Sequence, residues 1–526
     1  MIYDKMVRLI KKQNMKRKIY FIALSLCTIF FTGCEDFLTD KPESVLGQVD
    51  FYTTPIRINQ GIIGCYAGLA NIQKDEWMYT ELRSDNTCQN QTGSSDTHRI
   101  TQSDIDFFRI SSSLPDLRDF WYKFFQNISN INAVLPSVAD NTYVSNENLR
   151  AQYEGELLFL RGYHYYNLVN LFGDMFKITK VIGPNEAKKI PRSPVLEIYN
   201  DIIIPDLKKA ANELPSTYPD TELGRATKWA AKGILAKAYM MLGGSDNLKL
   251  AKKELEDILT LSPHDLLTGT GAYANIFSTT NEMNKEIIFA VRYKGGSSGI
   301  GSPFWSTFAP LGSGNQFLKV GNPLGYNSPT YELMNLFNAN PNDQRIDACF
   351  KVWRKSSTVS VPYISKYIDP SISKPQQGEN DWIVLRYADI KLLYAEILAQ
   401  DGNFASAHLP LNEVRERAGL TGIGPFNSEE EALDAVYAER RLELAFENHR
   451  WFDLLRIAKS YNNPDKPMEI LRKHTFETDW DILYSKFNPI QPPEVRFFIR
   501  ERLLLPIPQA ERDSNNELEI PQNPSY

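Results

Sequence analysis

Two stretches of the chain share one plan. Ala226 to Leu261 and Ala388 to Ala418 each read as an apolar-periodic helix, a short glycine break and a second helix. The breaks are Gly243-Gly244 and Asp401-Gly402, and alanines recur where paired helices must approach: Ala236, Ala238 and Ala251 in one, Ala395, Ala399 and Ala407 in the other. Three further helices with broad apolar faces precede them. Pro55–Gln73 carries Ile58, Ile62, Ile63 and Tyr66. Leu117–Val138 carries Phe120, Trp121, Phe124, Phe125, Ile128, Ile131 and Leu135. Asn148–Phe172 carries Leu157, Leu160, Tyr163, Tyr166 and Leu168. A chain of 526 residues with this pattern has to bury its apolar stripes helix against helix. The expected fold class is mainly α.

The helix–break–helix units resemble tetratricopeptide repeats, with spacing looser than the ~34-residue period of that motif. Between them the character changes. Glu286–Tyr293 (EIIFAVRY) is β-like, and eight glycines follow between Gly295 and Gly325. Phe304, Trp305, Phe308, Phe317 and Tyr326 punctuate that stretch, which argues against disorder. A second polar stretch, Glu81–Gln102, follows Trp77 and Tyr79.

The N-terminus is a targeting segment. Lys16-Arg17-Lys18 precedes an apolar run from Ile19 to Phe31, too short to span a bilayer and followed by Thr32-Gly33-Cys34. This resembles a bacterial lipoprotein signal, in which the cysteine is lipidated and becomes the new N-terminus; translation from Met15 would still give a complete signal. Glu35 and Asp36 resemble the acidic signal that sends lipoproteins to the outer surface in the Bacteroides group. Loss of residues 1–33 removes seven Lys/Arg and one Asp, so the formal charge moves from −6 to −12 (51 Lys/Arg against 63 Asp/Glu). Such an acidic chain is a poor nucleic-acid binder. Besides Cys27 and Cys34, only Cys65, Cys88 and Cys349 remain, scattered too widely for a disulfide framework or a zinc site.

Near the C-terminus, ERRLELAFENHRWFDLL (Glu439–Leu455) crowds acids, bases and an aromatic without glycine or proline. Paired carboxylates could serve glycoside hydrolysis. On one continuous helix, however, Glu439, Glu443 and Glu447 form a single stripe, with Arg440 reaching Glu443, Arg450 reaching Glu447 and Asp453, and Arg456 reaching Asp453. Leu442, Ala445, Phe446 and His449 form the adjacent apolar face. The spacing predicts a self-braced structural helix. The other histidines (His98, His164, His264, His408, His474) show no metal spacing, and neither a nucleophile elbow nor a phosphate loop is present.

The lipobox with CEDFL, GCYAGL (Gly64–Leu69), LRGYHYYNLVNLFGD (Leu160–Asp174), GRATKWAAKGILAKAYMMLG (Gly224–Gly243), RYADIKLLYAEILAQDG (Arg386–Gly402), LNEVRERAGL (Leu411–Leu420), the Glu439 motif and LLLPIPQAERDSNNELEIPQNPSY occur in this order. Together they resemble the SusD/RagB family of outer-membrane surface lipoproteins over nearly the whole mature chain. The resemblance implies a scaffold of about four tetratricopeptide-like helix pairs, a large irregular loop-rich ligand region and no enzymatic activity. It also implies binding of a glycan, or a peptide in some members, as the lid of a SusC-like TonB-dependent transporter. The expected organisation is a signal peptide at 1–33 and a lipidated N-terminus and tether at 34–54, polar from Lys41 onward. A single domain follows at 55–526, with scaffold mainly at 55–75, 117–261 and 380–460, ligand loops mainly at 76–116 and 262–379, and an irregular tail at 461–526.

A sugar offers an apolar C–H face and a rim of hydroxyls, so its site wants flat aromatics beside amides, carboxylates or guanidinium. Trp77, Asp85, Asn86 and Gln89, with Phe304, Trp305 and Tyr326 from the long loop, supply those types. The competing reading is that these rings staple their own loops. No cofactor is expected, and a structural calcium ion stays open.

Overall fold

The computed structural model describes residues 51–89, 96–140, 142–296, 299–356, 360–477 and 499–526. The expected signal, Cys34 and the tether up to residue 50 lie outside the described residues. The chain divides between Thr53 and Thr54, and the second unit, Thr54–Tyr526, carries the architecture below.

Helix α1 (Pro55–Tyr79) starts at Thr54, whose hydroxyl accepts from the Arg57 N–H, with Pro55 in the first turn where its missing donor costs nothing. It is followed by α2 (Pro115–Ala139), α3 (Glu147–Phe172), α4 (Ile204–Glu213), α5 (Lys228–Leu242) and α6 (Ser245–Leu261). Beyond the loop-rich stretch, which holds the short helix α7 (Phe304–Phe308), come α8 (Tyr387–Gln400), α9 (His408–Arg417), α10 (Glu429–Glu443) and α11 (His449–Ser460). The long helices pack in a continuous series: α1 on α2, α2 on α3, α3 on α4, α4 on α5, α5 on α6, α6 on α8, and α8 on both α9 and α10. Gly243 (φ +72°) and Gly244 (φ +81°) turn the chain between α5 and α6 in backbone conformations that L-residues avoid. The six alanines named from sequence are all fully buried, as the close approach of paired helices requires. The fold is mainly α, with a tetratricopeptide-like scaffold.

The loop-rich half is tied together by two-stranded antiparallel ladders: β1 (Thr87–Cys88) with β5 (Ser328–Pro329), β4 (Ile287–Val291) with β8 (Trp382–Arg386), and β6 (Phe350–Arg354) with β7 (Ser360–Ile364). A fourth, β2 (Met175–Phe176) with β3 (Arg192–Ser193), lies after α3. The β-like reading of Glu286–Tyr293 corresponds to β4, buried along its whole length. The last residues pack back onto the scaffold. Leu505 N–H donates to the Leu171 carbonyl at 2.7 Å, and the Asn523 amide donates to the carbonyls of Phe172 and Leu505.

ERRLELAFENHRWFDLL does not form one helix. Helix α10 ends at Glu443 and α11 begins at His449, and in the turn between them Phe446 (φ +68°) and Asn448 (φ +65°) are left-handed. The Glu81 carboxylate holds this turn by accepting from the N–H groups of Phe446 (3.1 Å) and Asn448 (3.0 Å). The turn leaves Glu447 outside the helix that carries Arg450, and the expected pairs Arg440–Glu443 and Arg450–Asp453, though each lies within one helix, are also replaced by partners from elsewhere. Glu443 takes Arg386 (2.5 Å), Arg345 (3.1 Å) and Arg417. Glu439 takes Arg345 (2.6 Å) and Arg415 (2.9 Å), and Glu447 takes Arg386 (2.8 Å) and Lys366 (2.8 Å). Arg440 bridges Asp389 (2.8 Å) and Asp453 (2.9 Å), and Arg450 grips Asp85 (2.7 Å). Only Arg456–Asp453 (2.7 Å) is the intrahelical pair that spacing predicts.

Apart from half-buried Arg415 these groups are buried, which is why every one of them is paired: an isolated charge out of water costs several kcal/mol. Burial alone would raise the Glu443 carboxyl, but Arg417, Arg386 and Arg345 hold it down at about 2. His449 is pushed down to about 3 by burial and by the Lys237 ammonium, so it is neutral at pH 7.

Glu443→Gln leaves three buried guanidinium groups short of a counter-charge. It is expected to cost about 3–5 kcal/mol in urea unfolding, with the affinity of the folded protein for ligand unchanged. The folded Glu443 pKa lies below its unfolded value near 4.5, so its stabilisation is complete above that value and is lost as pH falls towards 2. The stability gap between wild type and Glu443→Gln should therefore close across that window, measured by urea melts at stepped pH.

Candidate functional site

The glycine-rich stretch is an ordered layer built on α7. Pro303 precedes this helix, and Leu324 and Tyr326 return to it, donating their N–H groups to the carbonyls of Ser306 (2.9 Å) and Thr307 (3.0 Å). Gly325 (φ +57°) makes that return, since a Cβ there would lie 2.8 Å from Leu311 N. Trp305 sits at the centre of an apolar cluster with Ala309, Leu318, Tyr363 and Ile372, and its indole N–H donates to the Phe317 carbonyl at 3.2 Å. Phe304 faces the opposite way, against Tyr293, Tyr367 and Trp382, with its ring 4.5 Å from the Trp382 ring.

Six of the seven residues named from sequence are therefore interior. Trp77 packs edge-on against Phe308 at 5.4 Å. Asp85 pairs with Arg450 and Arg441, and the Asn86 side chain donates to Glu81 (3.3 Å) and accepts from Arg441 (3.0 Å). The Gln89 amide donates to Gln102 (2.7 Å) and to the Tyr326 carbonyl (3.3 Å). With Phe304 and Trp305 they are at most 3% exposed, so none of the six offers a ligand an open face in this structure. The sequence supplies the right residue types, but their exposure depends on contacts distant in the chain.

Tyr326 differs. It is half-buried, and the Arg99 guanidinium lies 5.0 Å from its ring centroid. Its hydroxyl donates to Asp96 at 3.4 Å. Burial, reinforced by the Asp96 charge, raises its pKa, so the hydroxyl stays protonated. His98 lies 6.5 Å away on the solvent side.

The structure adds a second aromatic surface. Trp353, on β6, meets Phe317 edge-on at 6.0 Å, and both are half-buried against the Trp305 cluster. The Trp353 indole N–H donates to the exposed Gln316 side chain at 2.9 Å, fixing the ring's orientation. The Lys355 ammonium lies 6.0 Å from the same ring. The signal for this surface was FKVWRK, a strand-like alternation that places a tryptophan between lysines. The result is a half-buried aromatic with an amide at its edge and an ammonium over its ring, carried by an ordered layer.

Of the carboxylates in the Glu439–Leu455 segment, Glu447 and Asp453 line a small cavity of about 30 Å³ together with Glu76, Tyr166, Lys237 and Arg456, whereas Glu439 and Glu443 are taken up by arginines. That cavity has room for about one water. Among the described residues there is no cluster of His, Cys, Asp or Glu suited to a metal ion, and no helix is long and apolar enough to cross a membrane.

Comparison with known proteins agrees with this architecture. Residues 352–526 match the model of the SusD family, and residues 36–240 match a family described as starch-binding associating with outer membrane. SusD-like protein P25 of Formosa agariphila is 28% identical over 491 residues, covering 84% of this chain and 90% of that protein. A solved laminarin-binding SusD-like protein superposes with TM-score 0.69 at 24% identity, covering 88% of this chain and 99% of that one. A SusD homologue from Bacteroides thetaiotaomicron superposes with TM-score 0.74 at 20% identity, covering 91% and 98%. The two family-model matches, the SusD-like relatives and the shared helical scaffold lead to one assignment: the chain belongs to the SusD-like family.

Proposed function

We propose that this chain is a non-enzymatic, cell-surface glycan-binding lipoprotein. It captures an oligo- or polysaccharide and acts as the lid of a SusC-like TonB-dependent outer-membrane transporter. The observation that carries the binding role is Trp353: a partly exposed tryptophan, braced by Phe317 and Gln316 on an ordered layer, has the flat apolar surface that suits the C–H face of a sugar ring. Tyr326, ringed by Arg99, Asp96 and His98, is a second contact. Trp305, packed on Phe317, and Gln89, bonded to the Tyr326 carbonyl, act as positioning residues, and Trp77, Asp85, Asn86 and Phe304 hold the surrounding interior. The laminarin-binding and surface glycan-binding relatives of this fold support the ligand class. The outer-membrane family description and the Phe31-Thr32-Gly33-Cys34 signal support anchoring at that membrane through Cys34. The transporter partnership follows from the family resemblance.

Titration calorimetry against a panel of polysaccharides tests the binding role. Trp353→Ala is expected to weaken glycan affinity about tenfold or more with the melting temperature unchanged, as truncating an interface anchor costs more than about 1 kcal/mol. Trp305→Ala should instead destabilise the fold by about 3–5 kcal/mol, as loss of a buried indole does. Unchanged affinity in Trp353→Ala and Tyr326→Ala would remove both contacts from the site. For the anchor, Cys34→Ser should abolish incorporation of radiolabelled palmitate and release the protein from the membrane fraction. Persistent labelling of that variant would refute lipidation at Cys34.

A further inference from the structure

The loop-rich half has a charge anomaly. The chain holds 64 acidic residues among 526, yet none lies between Glu286 and Glu332 and none between Asp347 and Asp369. These two stretches build the layer around Trp353. Their cations are Arg292, Lys294, Lys319, Lys351, Arg354, Lys355 and Lys366. Arg292 pairs with Glu282 and Asp381, Lys294 with Glu379, and buried Lys366 with Glu447. Lys319, Lys351, Arg354 and Lys355 are exposed, and among the described residues no carboxylate pairs with any of them.

Their placement is specific. Lys351 lies two residues before Trp353 on β6 and so shares its face of the ladder. Its cross-strand partner Tyr363 belongs to the cluster beneath Phe317 and Trp353. Lys355 holds its ammonium 6.0 Å from the Trp353 ring, and Lys319 lies two residues beyond Phe317. Arg354 alternates to the other face. One exposed ammonium group thus lies at the Trp353 ring, and two more are carried by residues that flank Trp353 and its neighbour Phe317, in a chain whose net charge is −6. Elsewhere such a chain repels a polyanion, and here it offers a local positive rim.

We infer that the Trp353 platform selects an acidic glycan, one carrying carboxylates or sulfate esters, with the sugar ring stacked on Trp353 and its anions on Lys319, Lys351 and Lys355. This inference rests on the glycan-binding reading and names its ligand class. Exposed ammonium groups act as point charges, so they accept either anion and their contribution is screened by salt.

The test uses the full chain in detergent and measures binding to laminarin, starch, polygalacturonate and a sulfated galactan, at low and high sodium chloride. Methyl-esterified pectin and the desulfated galactan distinguish carboxylate from sulfate as the recognised group. The expected result is retention of one or both acidic polymers, weakened about tenfold or more between ~0.05 and ~0.5 M salt. Lys351→Gln/Lys355→Gln should weaken that binding to a similar extent, and Arg354→Gln should leave it unchanged. Preference for a neutral glycan, insensitive to salt, overturns the acidic class and leaves the glycan-binding reading standing. No binding to any polysaccharide overturns both. Lysine-dependent binding to phosphatidylglycerol vesicles with no polysaccharide bound overturns both and makes the rim a membrane contact.

Discussion

The structure depends on one buried carboxylate. Glu443, at the last turn of α10, is reached by Arg345 from the segment before β6, Arg386 from the end of β8 and Arg417 from the end of α9. Those arginines also engage Glu439, Glu447 and Glu286, so the network spans the scaffold and the loop-rich half at once. Hydrophobic contacts are tolerant of sliding, whereas a guanidinium fork satisfied by two carboxylates is not. A fully paired network of this kind gives little net stability over an apolar replacement, while breaking a single member leaves orphaned charge. Its physical effect is on register: the loop-rich half can seat on the helices in the one arrangement that pairs every charge.

The helices were legible because their signals are local. Apolar periodicity, the Gly243-Gly244 and Asp401-Gly402 breaks and the buried alanines all lie within a few residues of the structure they specify. The segment Glu439–Leu455 was legible as structural and misread in detail. Nothing local marks Phe446 and Asn448 as left-handed, because the group that holds them so is Glu81, distant in the chain. That turn separates Arg450 from Glu447, and the remaining charges are drawn to buried partners that the fold brings from elsewhere, which no local spacing reveals.

The candidate site was harder to read for the same reason. Trp305 and Trp353 are both aromatic residues of the loop-rich half, yet one fills the layer and the other lies across its edge. What separates them is packing against Tyr363, Ile372 and Leu318, which no window of sequence contains. Residue type shows that a region holds the chemistry for recognition, and only the tertiary contacts show which ring stays partly exposed.

Burial of the remaining aromatics is what makes the partly exposed one useful. A tryptophan on a mobile glycine-rich loop would lose the entropy of ordering that loop each time a ligand bound. Here the loop is ordered beforehand by the hydrogen bonds from Leu324 and Tyr326 to α7 and by the Trp305 indole bond to Phe317. Trp353 is held in turn by Phe317 and Gln316. The glycines allow the chain to cross itself closely, as at Gly325 over Leu311, while the interior rings supply the rigidity that glycine lacks. Because Glu443 and its partners are buried between this layer and the helices, changes at the layer's outer edge leave them untouched. Ligand preference can thus vary on a scaffold that stays constant.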